Sequence, residues 1–130
     1  MEDELTTKFL FTALMGDINN LAMLIEHGAD VNMQNDSGNT ALIFAANEGH
    51  TNIADMLIEH GSDINAKNND GRTALMCAAT FGHTDTAAIL IDRGSDINIK
   101  NNDGMTALKI AVEKGHKDIA DLLIAKGAEE

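Results

Sequence analysis

The chain has no proline, tryptophan or tyrosine, and only one cysteine and four phenylalanines in 130 residues. Without proline, nothing forces a helix kink or a rigid linker. With Cys77 as the only thiol, no internal disulfide forms, which fits a reducing compartment. The shortage of aromatics leaves the core to Leu, Ile, Ala and Met, which are mostly good helix formers. Bases are also few: nine Lys and Arg stand against 21 Asp and Glu, a formal net charge of -12. A nucleic-acid binder needs a basic face to displace counterions, and anionic membranes attract basic surfaces, so neither partner is expected. No stretch approaches the ~18 consecutive apolar residues of a membrane span. The amino terminus, Met1-Glu-Asp-Glu4, is acidic where a signal peptide is basic. The expected location is the cytoplasm. The length suits a single domain, residues 1–130.

The charge is unevenly spread. Residues 1–65 hold 11 acids and one base, Lys8, a net of -10; residues 66–130 hold 10 acids and 8 bases, a net of -2. An acidic half steers a basic partner; its bland reading is solubility.

What the chain does have is a repeat. Gly38, Gly71 and Gly104 are 33 residues apart, as are Gly16, Gly49, Gly82 and Gly115, and Gly28, Gly61, Gly94 and Gly127. Thr40-Ala-Leu42, Thr73-Ala-Leu75 and Thr106-Ala-Leu108 keep the same step, and so do Asp30-Val-Asn32, Asp63-Ile-Asn65 and Asp96-Ile-Asn98. Several independent series at one period define a repeat protein. Within a unit, Thr40 is placed to cap a short helix over Ala41–Glu48, and Gly49 to end it in a left-handed cap. A second helix is predicted over Thr51–His60, with Ile53, Ala54, Met56, Leu57 and Ile58 apolar. Gly61 follows, then an extended piece at Ile64-Asn65, then the turn Asn68-Asn-Asp-Gly71.

Gly71-Arg-Thr-Ala-Leu-Met76, Ala78-Ala79, Gly82-His83, Ile89-Leu-Ile91 and Gly94-Ser-Asp-Ile-Asn98 together resemble the ankyrin repeat. The resemblance implies an all-α solenoid of stacked helix-turn-helix units with short β-hairpin or turn fingers. The units are an amino-terminal cap at about 2–34, full units at 35–67 and 68–100, and a carboxy-terminal cap at 101–130. The family's proline is Ala41, Ala74 and Ala107 here, and its His after Leu is Ile43, Met76 and Lys109. The Thr–His lock at the helix start is therefore expected to be missing, with apolar packing in its place. Thr-Ala-Leu-Met resembles repeats of bacterial and some protist members, which gives a secreted effector as the alternative to a resident cytoplasmic protein. Thr12, Asp17 and Asn20 replace Ala45, His50 and Ile53 in the first unit, and Lys109, Glu113, Lys114 and Lys117 load the last. Both ends thus read as polar caps of a closed array, and the chain is expected to be a monomer.

Catalysis finds no support. His50, His83 and His116 share one repeat position, but equivalent residues on stacked helices lie roughly 8–10 Å apart. Ligands sharing zinc sit about 2.0–2.1 Å from the metal, so these histidines are read as structural and no metal is expected. Asp30, Asp63 and Asp96 follow a glycine and read as loop hydrogen-bond acceptors. Asn32, Asn65 and Asn98 match a position hydroxylated in some relatives, but read first as turn residues. Asn35-Asp-Ser37 fits a glycosylation sequon with no other sign of secretion. Cys77 sits where Phe44 and Ile110 stand in neighbouring units, a packed position. Met15, Met23, Met33, Met56, Met76 and Met105 fall mostly on core-type spacings. No nucleophile–base set or phosphate-cradling glycine loop appears, so neither an enzyme nor a cofactor is expected.

Function should then sit where the units differ. The differing finger positions are Asp36, Ser37 and Asn39; Asn69, Asp70 and Arg72; and Asn102, Asp103 and Met105. At the ends of the first helices they are Asn47 and Glu48, Thr80 and Phe81, and Glu113 and Lys114. The family resemblance implies that these line a concave face contacting a protein partner. Arg72 and Phe81 are the candidate anchors, because exposed aromatics and arginines dominate interface energies. Phe81 is either exposed in a patch with Met15 or packed on a neighbouring helix. An inhibitor or antidote that masks a basic surface is the alternative function.

Overall fold

A computed structural model of the chain describes residues 3–128. The expected outer limits at residues 2 and 130 lie outside them. Among the described residues there are eight helices and no strand. They form four hairpins: α1 (Glu4–Met15) with α2 (Ile18–Glu26), α3 (Ala41–Glu48) with α4 (Thr51–Glu59), α5 (Ala74–Phe81) with α6 (Thr84–Asp92), and α7 (Ala107–Glu113) with α8 (Lys117–Ala125). First helices stack on first helices and second on second, giving an all-α solenoid.

Local chemistry sets each boundary. Thr40, Thr73 and Thr106 are buried, and their hydroxyls accept from the backbone N–H of Ile43, Met76 and Lys109 at 3.2, 3.3 and 3.3 Å. The Thr half of the expected missing lock is therefore present. Only the His half is replaced, by the fully buried side chains of Ile43 and Met76. Gly49 and Gly82 end α3 and α5 with φ of 72° and 74°, conformations that a side chain disfavours. In the first unit α1 starts at Glu4, so the residues that match the later finger positions 37–39 form an extra helical turn, with the Asp3 carboxylate accepting from Thr6 N–H at 2.7 Å. That bond holds the Asp3 carboxyl below its ordinary range.

The segment expected to be extended at Ile64-Asn65 is instead a turn, closed by Ala66 N–H donating to Asp63 O at 3.2 Å. The Asp63 side chain also accepts from Asn65 N–H at 3.0 Å, a local bond that outcompetes extension. Asp30 and Asp96 do the same for Asn32 and Asn98, which bears out their reading as loop acceptors. The fingers likewise are tight turns rather than strand hairpins; Asn68 N–H donates to Arg72 O at 3.0 Å across one of them.

Alanines let the first helices approach closely: Ala45, Ala46, Ala78, Ala79 and Ala111 are fully buried between them. Leu21, Leu57, Leu90 and Leu123 fill the gap between first and second helices. Polar struts then fix each unit on the next. The Nε2 of His50, His83 and His116 meets the carbonyl oxygens of Leu14, Asn47 and Thr80 at 2.9, 2.9 and 3.1 Å. A carbonyl only accepts, so Nε2 carries the proton. Asn32 and Asn65 side chains accept from Asp63 and Asp96 N–H at 2.7 and 2.8 Å, one unit on. The side chains of Thr51 and Thr86 share a bond of 2.7 Å, and Arg93, the C-cap of α6, pairs with Asp55 on α4 at 2.6 Å.

The carboxy-terminal end departs from the expected polar cap. Val112 is 63% exposed and Ile124 47%, beside the charges of Lys109, Glu113 and Lys117. Charge on these helices shares the end face with apolar side chains instead of replacing them.

Candidate functional site: the finger face

Fingers and first helices build one continuous side of the stack. Arg72, in a finger, donates through its guanidinium to the Thr80 hydroxyl at the end of α5. Thr80 in turn donates to Met76 O at 2.9 Å, and its own backbone carbonyl receives His116. Arg72 is half-buried, held by this hydroxyl rather than by an acid; among the described residues no carboxylate lies within ion-pair range of it. Its cationic end is therefore fixed in position without being neutralised.

Phe81 follows Thr80 and is 57% exposed. Of the two readings the sequence leaves open, exposure is the one realised. Its ring leans toward His83, with centroids 6.4 Å apart and planes 33° apart. His83 is itself held to Asn47 O at 2.9 Å, so Phe81 lies beside a side chain that is tied to the preceding unit. Along the same row of the stack come Met15, Glu48, Phe81 and Lys114, all exposed. Met15 and Phe81 are separated by the Glu48 unit and do not make one apolar patch.

The other predicted positions divide. Asp36, Ser37, Asp70, Asp103, Glu113 and Lys114 are exposed. Asn69 and Asn102 are exposed as well, but each donates its side-chain amide to the finger before it, to Asp36 O at 3.0 Å and Asn69 O at 2.8 Å. Asn39 is half-buried and accepts from the Asn68 side chain at 2.9 Å. These three asparagines tie fingers together, so their variation between units is only partly free. Asn47, Thr80 and Met105 are also half-buried.

Two features escape the sequence reading. A groove of about 160 Å³ opens on this side between α1 and the first finger, lined by Leu10, Phe11, Leu14, Asn35 and Phe44. Phe11 shares its repeat position with the half-buried Phe44 and buried Cys77, which makes it look like core; it is 59% exposed. Met15 and Met23 depart from core spacing in the same way and are exposed. The one signal for the groove is Leu14, apolar where Asn47 and Thr80 stand in later units.

Cys77 is 2% exposed, and burial pushes its thiol pKa up against the opposing pull of the nearby Arg72 cation. A raised thiol is a poor nucleophile at neutral pH. Among the described residues no group of three or more His, Cys, Asp or Glu is arranged to hold a metal ion. No helix among them is long and apolar enough to cross a membrane. What this side offers is a surface of side chains with a cation held by Thr80 and an exposed aromatic beside His83.

A family model for ankyrin repeats (3 copies) matches residues 9–101 and residues 67–130. No individual curated protein matches the chain.

Proposed function

The chain belongs to the ankyrin-repeat family, and from that premise we propose that it binds a protein partner on its finger face, centred on Phe81 and Arg72, without catalysis. Members of this family are generally protein–protein interaction modules. The observation that carries the finer reading is the setting of Phe81: an exposed ring beside a histidine that is tied to the preceding unit. Rigid aromatic side chains lose little entropy on binding, which is why they anchor interfaces. Arg72, fixed by Thr80, adds a directed donor at the same spot. Exposed Asp70, Glu48 and Lys114 supply the charged rim.

The test is affinity capture from the source cells, comparing the chain with Phe81→Ala and Arg72→Ala. A partner whose affinity falls about tenfold or more for Phe81→Ala, at unchanged melting temperature, supports the reading. Equal capture by both variants overturns it.

A second reading rests on the -10 of residues 1–65, which favours a basic partner and an inhibitor-like role. Its signature is affinity that falls steeply between low and high salt. Salt-independent binding removes it and leaves the first.

A further inference from the structure

The repeat supplies its own control for what a covered end face looks like. Ala46 and Ala79, which precede the next unit, are each 0% exposed. Val112 holds the same repeat position on α7 and is 63% exposed. A β-carbon on Gly49 or Gly82 would meet the ring of His83 or His116 at 2.6 or 2.7 Å, whereas one on Gly115 meets nothing within 4 Å. The face of α7 and α8 therefore has the small residues and apolar centre of a stacking surface, and among the described residues nothing covers it. Two shallow grooves of about 340 and 290 Å³ run across it, and Val112 and Ile124 line both.

Charge decides what fits there. Lys109 and Glu113 flank the centre on α7, and Lys117 and Asp121 flank it on α8. Because the two helices run antiparallel, Lys109 and Asp121 lie toward one end of the hairpin and Glu113 and Lys117 toward the other. The four charges thus form a checkerboard around Val112 and Ile124. A checkerboard complements its own copy: a two-fold axis in the plane of the face sets every base opposite an acid, whether the axis runs along the helices or across them. The pair already formed, Lys117 with Asp121 at 2.9 Å, is exposed and exchanges partners at little cost.

The amino-terminal end does not suit this face. There Asp17 stands where His50, His83 and His116 stand in later units, so it presents a carboxylate to a carbonyl that needs a donor. Residues 1–65 also carry -10 against -2 for residues 66–130, so two copies meet with least repulsion through their carboxy-terminal halves.

We propose that this end face is a self-association surface, and that two copies of the chain join through it as an isologous dimer, α7 and α8 against α7 and α8. Phe81 and Arg72 of both copies stay outside the contact, whereas Met105 and Glu113 of the last unit lie at its edge. The contact is the size of one hairpin face, so the dimer is a weak one.

Sedimentation velocity of the full chain from about 1 µM to about 1 mM, the window in which small interfaces associate, tests this. The mass should rise from one chain to two. Lys109→Glu should abolish the dimer. Of the double variants Lys109→Glu/Glu113→Lys and Lys109→Glu/Asp121→Lys, one should restore it, and which one does so fixes the axis. Val112→Ala should weaken dimerisation at least tenfold at unchanged melting temperature, since Ala46 and Ala79 already fold at that position. A single chain at every concentration overturns the proposal. So does growth beyond two chains, which means head-to-tail stacking, and so does a dimer that Phe81→Ala disrupts while Lys109→Glu does not.

Discussion

At the level of single residues, repetition separates scaffold from surface more sharply than residue type does. His50, His83 and His116 look like metal ligands by type, yet each spends Nε2 on a carbonyl of the preceding unit. Removing one such donor leaves a partly buried carbonyl unsatisfied. His83→Ala should therefore cost about 1–3 kcal/mol of unfolding free energy, read by urea denaturation. Cys77 is the reverse case, a reactive type made inert. Its thiol is buried and its pKa raised, so an aromatic disulfide reagent at pH 8 should label the native chain at least tenfold more slowly than the urea-unfolded chain. Equal rates would mean that the α5 core opens readily. The exposure of Phe81 was not legible in the sequence, because a position occupied by Met15, Glu48 and Lys114 elsewhere carries no periodic signal.

At the level of elements, most of the architecture was legible, and for a physical reason. A short helix in water is unstable without help at its ends. The help here comes from residue types with one recognisable use, Thr at the start and Gly at the end. The limits of α3 follow from Thr40 and Gly49 alone. Thr73→Ala should lower stability by about 1 kcal/mol, seen in a thermal melt, because the Met76 N–H loses its acceptor. Local side-chain competition is where the reading failed. Ile64-Asn65 alternates like a strand, but the Asp63 carboxylate claims the Asn65 N–H and closes a turn. The end of α7 failed differently: Lys109 and Glu113 bracket Val112 in sequence, and counting charges along a helix does not reveal what lies on one face of it.

For the whole molecule, stacking of near-identical units makes stability a nearest-neighbour property and leaves two kinds of surface with different jobs. The finger face varies from unit to unit and bears the exposed aromatic beside His83. The end face keeps the stacking residues and a self-complementary charge pattern. The central claim is that the finger face around Phe81 takes the partner. The direct test places a photo-crosslinking p-benzoylphenylalanine at position 81 in the source cells, and separately at Asp92, an exposed position on second helix α6. The account predicts a discrete protein adduct from position 81 and none from position 92. Adducts of equal yield at both positions, or none at position 81, would contradict it.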